Sequence, residues 1–164
     1  MKKANPAHVQ AMMNIVNRCP YFSLLSMEVR DLEMGRSLIE IEISQKHLQL
    51  FGIAHGGVFA SIIDAAAFWA VFYRVEDPDA GLTSVDLKLN YLAPASTGKL
   101  AARGRLIKLG KSLGYADAEV TDGFGKILAH GSSTLMVLPG LGVTGATEMP
   151  TKFIETDSKE GIEQ

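Results

Sequence analysis

Cysteine is almost missing from this chain: Cys19 stands alone among 164 residues. That excludes an internal disulfide framework and a cysteine-rich zinc centre, and makes a reducing, cytoplasmic setting the default expectation. An excess of positive charge is missing as well. With 16 Lys and Arg against 18 Asp and Glu, the net charge is −2 and the pI about 6.1. The charges are mixed along the chain, so there is no footprint for nucleic acid, and any anionic ligand must be met locally. The four histidines, at 8, 47, 55 and 130, have no metal-ligand spacing, and no metal is expected. The N-terminal MKKANPAHVQ turns polar after two lysines and lacks the apolar core and cleavage site of a secretory signal.

Long apolar runs are scarce, and the one present is unusual. HGGVFASIIDAAAFWAVFYRV, residues 55–75, approaches the roughly 20 apolar residues that span a bilayer. Asp64 lies inside it and Arg74 near its end, so the expectation is a buried core helix with no membrane span. An ionised carboxylate in apolar surroundings is costly unless paired, solvated or shifted, so Asp64 asks for a reason. Gly56 and Gly57 open the same helix, where bare backbone N–H groups and the helix dipole favour developing negative charge.

The rest of the chain reads as strands around this helix. Residues 5–18 place Val9, Met12, Met13 and Val16 at helical spacing behind Asn5-Pro6, and Cys19-Pro20 is expected to end that helix. Residues 26–34 and 36–44 alternate around Gly35 as an antiparallel hairpin, and 45–54 form a loop feeding the helix. After the turn at 76–81 come strands at 82–92, 99–109, 113–121 and 127–138, whose short connections favour antiparallel pairing. The expected fold is α+β in β-β-α-β-β-β-β order, an antiparallel sheet wrapped around one long helix, with an extra N-terminal helix. The expected organisation is an N-terminal helix over 1–20, a domain over 21–139 and a C-terminal tail over 140–164.

The helix spacing constrains chemistry. Gly57 and Asp64 share a helix face but lie about 10 Å apart at ~1.5 Å per residue. Hydrolysis of an acyl group needs an activating base or nucleophile and an oxyanion donor within roughly 3 Å of one carbonyl. The two residues therefore serve one site only if two subunits share it.

Taken together, AHGGVFASIIDAAA, TSVDLKLNYLAPA, GKSLGYADAEV and DGFGKILAHGSS resemble the hotdog-fold acyl-CoA thioesterases, in particular the phenylacetate-pathway type, over roughly residues 20–138. The resemblance implies that Asp64 is the catalytic base or nucleophile and that the N–H of Gly57, beside Gly56, is the oxyanion donor. It further implies that Gln49 orients the thioester or water, that Ser84 holds the attacking water, and that His55 fixes the loop. It implies a homodimer or homotetramer with shared sites and no cofactor beyond the coenzyme A of the substrate. For Gln49, loop solvation is the plain alternative; for Ser84, an ordinary surface strand position or exchange of roles with Thr83. The acyl group would enter beside the helix against Phe59 or Phe68, and Arg103, Arg105 and Lys111 could meet the coenzyme A phosphates or be ordinary solvated charges. Gly110-Lys111-Ser112 is no phosphate-binding loop, since it joins strand to strand. Two rivals share the fold: an acyl-CoA-binding module without turnover, which Asp64 disfavours, and an enoyl-thioester hydratase or dehydratase, for which no His–acid dyad is visible.

Overall fold

The structure, a computed structural model, describes residues 2–143 and 148–155. Its elements are β1 (Lys2–Ala4), α1 (Pro6–Val16), α2 (Pro20–Leu25), β2 (Met27–Glu33), β3 (Arg36–Glu42), α3 (Gly56–Phe72), β4 (Gly81–Tyr91), β5 (Lys99–Leu109), β6 (Leu113–Thr121), β7 (Ile127–Leu138) and β8 (Phe153–Glu155). Strands β2 to β7 form one antiparallel sheet in the order β2-β3-β5-β6-β7-β4. Helix α3 touches all six, which is the hotdog arrangement expected from the sequence.

Helix α3 is apolar all round, as a helix enclosed by protein must be; 11 of its 17 residues are buried. It sits close to the sheet because the strands beneath it carry small residues. A Cβ on Gly104 of β5 would overlap the Ala66 carbonyl, and the Ser37 hydroxyl donates to that same carbonyl at 2.7 Å. Side chains from both layers, among them Ile39, Ile41, Ile62, Ile63, Leu100 and Leu135, fill the core.

The N-terminal region holds two helices where one was expected. Asn5 caps α1, its side chain accepting from Ala7 N–H at 3.0 Å. Pro20 does not simply stop the helix: it occupies the first turn of α2, where its missing N–H has no partner to lose. Ser26, in the left-handed region at φ 50°, closes α2 before β2. The elbow between the helices covers one sheet edge, where the Asn17 amide takes both backbone groups of Val29, at 3.1 and 2.7 Å. The opposite edge, β4, is exposed along most of residues 83–91.

Of the expected C-terminal tail, 144–147 and 156–164 lie outside the described residues. Residues 148–155 return to the domain, where β8 pairs with β1. Lys152 is buried there; its ammonium donates to the Val75 carbonyl at 3.1 Å and lies 4.0 Å from the centre of the Phe72 ring. Beside it, His8 Nδ1 and the Tyr73 hydroxyl are 2.9 Å apart.

Candidate active site

Asp64 is half-buried two turns into α3, and the Ser84 hydroxyl donates to its Oδ1 at 2.6 Å. A bulge in β4 makes this contact possible. The pairing with β7 runs Ser84↔Leu135 and then Asp86↔Thr134, leaving Val85 as the extra residue. Ser84 thus shares the helix side with buried Leu135, while Asp86 faces outward and accepts from the Thr134 N–H and hydroxyl at 3.1 and 3.2 Å. Bulges commonly re-aim a side chain in this way. Thr83 and Ser84 alternate in direction, as strand neighbours do, and the contact to Asp64 belongs to Ser84.

A cleft of about 510 Å³ opens beside Asp64 between the α1–α2 elbow and α3, lined by Tyr21, Phe22, Ser61, Phe68, Trp69 and Leu87 among others. Apart from Asp64 and the Tyr21 and Ser61 hydroxyls, these walls are apolar.

The first turn of α3 faces elsewhere. His55 is its N-cap, and its ring Nδ1 accepts the Gly57 N–H at 2.9 Å. The bare Cα of Gly56 is covered by Tyr91, whose hydroxyl donates to the Gly56 carbonyl at 3.3 Å; a Cβ on Gly56 would stand 3.1 Å from that hydroxyl. Gln49, Gly56, Phe59, Tyr91 and Pro94 line a second cleft of about 460 Å³. Gln49 is held in its loop by accepting Phe51 N–H on Oε1 at 2.9 Å, and Phe59 meets Tyr91 edge to face.

A single chain therefore carries two separate side-chain clusters. One pairs the carboxylate of Asp64 with Ser84 and an apolar cleft; the other pairs a helix N-terminus with Gln49 and Tyr91. No three His, Cys, Asp or Glu side chains among the described residues are grouped to hold a metal ion.

The thioesterase superfamily model matches residues 51–129, which contain both clusters apart from Gln49 and the elbow. A candidate esterase from Saccharolobus solfataricus is 32% identical over 116 residues, covering 71% of this chain and 76% of the relative. The chain belongs to the thioesterase superfamily. Within it, the 1,4-dihydroxy-2-naphthoyl-CoA hydrolase of Listeria monocytogenes is 28% identical, over 69% of this chain and 91% of that protein. Human acyl-coenzyme A thioesterase 13 is 28% identical, over 61% and 71% respectively. The solved structure of thioesterase HI1161 from Haemophilus influenzae superposes with a TM-score of 0.73 at 20% identity, covering 84% of this chain and 94% of that one, which shows the shared fold.

This superfamily member distributes the residues singled out from sequence unevenly. Asp64, Ser84 and Phe68 meet at the first cleft; Gln49, Gly56 and Phe59 meet at the second, with His55 and Gly57 at the helix start beside it. The basic trio stands apart from both. Arg103 and Arg105 point from the sheet face away from α3, Arg103 to Thr121 Oγ1 at 3.2 Å and Arg105 to both Asp117 oxygens at 3.2 and 2.7 Å. That hydrogen bond and the Asp117 charge hold the exposed Arg105 guanidinium above its ordinary pKa. Lys111 sits in the β5–β6 turn, near the C-terminal end of α3, where neighbouring Gly114 packs on Val71. Sequence reading missed Tyr91, Tyr21 and Ser61. Tyr91 ends the strand preceding Ala93-Pro94, but only the folded register puts it over Gly56.

Proposed function

We propose that this thioesterase-superfamily protein hydrolyses the thioester of an acyl-CoA, or of an acyl carrier protein, to the free acid and thiol. We further propose that it works as a homodimer or homotetramer in which Asp64 of one subunit faces Gly57 of another. The observation that carries the reading is the separation of the two half-sites within one chain: a carboxylate held by Ser84 at an apolar cleft, and a glycine-rich helix start at a different one. The exposed edge of β4 supports self-association, since an unpaired strand edge is the natural place for a second chain to add. Ser84 and Tyr91, one from each half-site, both lie on that strand.

In the general-base route, Asp64 takes a proton from a water held with Ser84, and the water oxygen attacks the thioester carbon. The oxyanion then accepts the Gly57 N–H at the positive end of α3, where a preorganised donor is worth several kcal/mol. Collapse breaks the C–S bond, and the proton returns from Asp64 to the departing sulfur. The His55 ring occupies the Gly57 N–H in the free chain, so it must turn aside as substrate arrives; its part is to cap the helix start. Gln49, with its Nε2 unused by the loop turn, is suited to orient the thioester. We place the protein in the cytoplasm, because a chain with one unpaired cysteine needs no oxidising compartment.

Two measurements test this. Asp64→Ala, with its fold verified, is expected to lose most free-thiol release from acyl-CoA; near-wild-type turnover would sink the assignment. Co-expressing Asp64→Ala with a Gly57→Pro variant, which removes the donor, is expected to restore part of the activity in mixed oligomers, and no rescue in demonstrated mixed oligomers would reject shared sites.

A further inference from the structure

The Asp64 cleft has a wall that the superfamily match does not include. The matched region begins at residue 51, whereas Val16, Cys19, Tyr21 and Phe22 of the elbow line the cleft opposite Phe68 and Trp69 of α3. The elbow is tied to the helix by a hydrogen-bond chain. Ser61 Oγ donates its only proton to the Gly57 carbonyl at 2.8 Å, so at 2.7 Å it must accept from the Tyr21 hydroxyl. Tyr21 thereby fastens the wall to the helix turn that carries the proposed oxyanion donor.

On α3 the apolar lining of the cleft continues from Asp64 through Ala65 and Phe68 to Trp69. The other direction leads to the hydroxyls of Tyr21 and Ser61, which an alkyl chain would desolvate without return.

We infer that the α1–α2 elbow and Trp69 select the acyl group: a linear apolar chain, packed against Phe68 and Trp69 and enclosed by a wall that Tyr21 holds in place. This rests on the proposal that Asp64 is the catalytic carboxylate, and it assigns specificity to a segment outside the shared part of the superfamily.

The test has two independent readouts. For wild-type enzyme, kcat/KM measured from butyryl-CoA to lauroyl-CoA is expected to rise about fourfold per added methylene while the chain is being buried, and to stop rising once the cleft is filled. Trp69→Leu is expected to move that break to longer chains, and Tyr21→Phe to raise KM for hexanoyl-CoA several-fold. A flat profile, or a break unmoved in folded Trp69→Leu, overturns the inference. Because Trp69 is well buried, the second readout uses the native wall: alkylation of Cys19, the sole cysteine, by N-ethylmaleimide in Asp64→Asn. Hexanoyl-CoA at ten times its Kd is expected to slow labelling about tenfold, and free coenzyme A to leave it unchanged. Unprotected Cys19 overturns the inference even where Asp64→Asn is inactive; protected Cys19 in an Asp64→Asn enzyme that still turns over upholds the pocket and removes Asp64 from the chemistry.

Discussion

The Ser84 hydroxyl donates to Asp64 at 2.6 Å across the gap between β4 and α3, and it is the only hydrogen bond that the Asp64 carboxylate makes among the described residues. A hydrogen bond to a charged group is worth about 1.5–3 kcal/mol, which translates to roughly 10- to 100-fold in rate if it is needed in the transition state. Ser84→Ala is therefore expected to lower kcat by that factor with little change in KM, and Ser84→Thr to recover part of it. Steady-state kinetics with free-thiol detection decides; an unaltered kcat in Ser84→Ala would show that the carboxylate needs no such partner.

His55 caps α3 by accepting the Gly57 N–H, and that cap is separable from proton transfer. Loss of a helix cap costs about 1 kcal/mol. His55→Ala is expected to lower Tm by a few degrees, on the order of 2–4 °C for a chain of this size, with turnover per folded enzyme largely kept. A fall in kcat of about 100-fold or more at unchanged stability would instead assign His55 to acid–base catalysis.

Gly104 marks the closest approach of helix to sheet, where an added Cβ would overlap the Ala66 carbonyl and lie 2.5 Å from Ser37 Oγ. Backbone cannot yield there as a flexible side-chain end can. Gly104→Ala is expected to destabilise by about 3 kcal/mol or more, at the upper end of overpacking costs. Urea unfolding reads this directly, and a midpoint within error of wild type would contradict the packing described.

The buried pair His8 and Lys152 predicts an uncommon pH dependence. Burial, and less strongly a nearby Lys2, pushes the Lys152 ammonium down from 10.5 to about 8 against the pull of Asp77. Between about 8 and 10.5 the unfolded chain thus binds more protons than the folded one, so this residue makes stability rise with pH in that window. Below about 8 both states carry the charge and its contribution is flat. His8 is lowered from 6.5 by burial and then by the Lys152 charge, so its contribution is lost as pH falls below about 6.5. The unfolding free energy of wild type relative to Lys152→Met is expected to grow from pH 8 to pH 10.5. A difference that stays flat or shrinks would reject the buried-cation account.

Much of this protein was legible before any coordinates. The six sheet strands and the central helix followed from period-two and all-apolar patterns, because the core dictates those patterns locally and strongly. Asp64 stood out as a candidate for the opposite reason: a charge in an apolar run violates the pattern, and such violations gather where chemistry is done. The short helix α2 was not legible, since six residues behind a proline carry too little periodicity to separate helix from loop. Nor was β8, whose three residues form a strand only because β1 is there to pair with them.

What the sequence by itself determined was the inventory and its spacing: an enclosed helix, a carboxylate seven residues beyond a glycine, and sheet strands in order. Tertiary structure alone decided who meets whom. The bulge at Val85 sets the phase that turns Ser84 toward Asp64, register along β4 lays Tyr91 on Gly56, and docking of the elbow gives the Asp64 cleft its second wall. A one-residue slip in a strand reverses every side chain beyond it, and no local pattern records a slip that only the partner strand enforces.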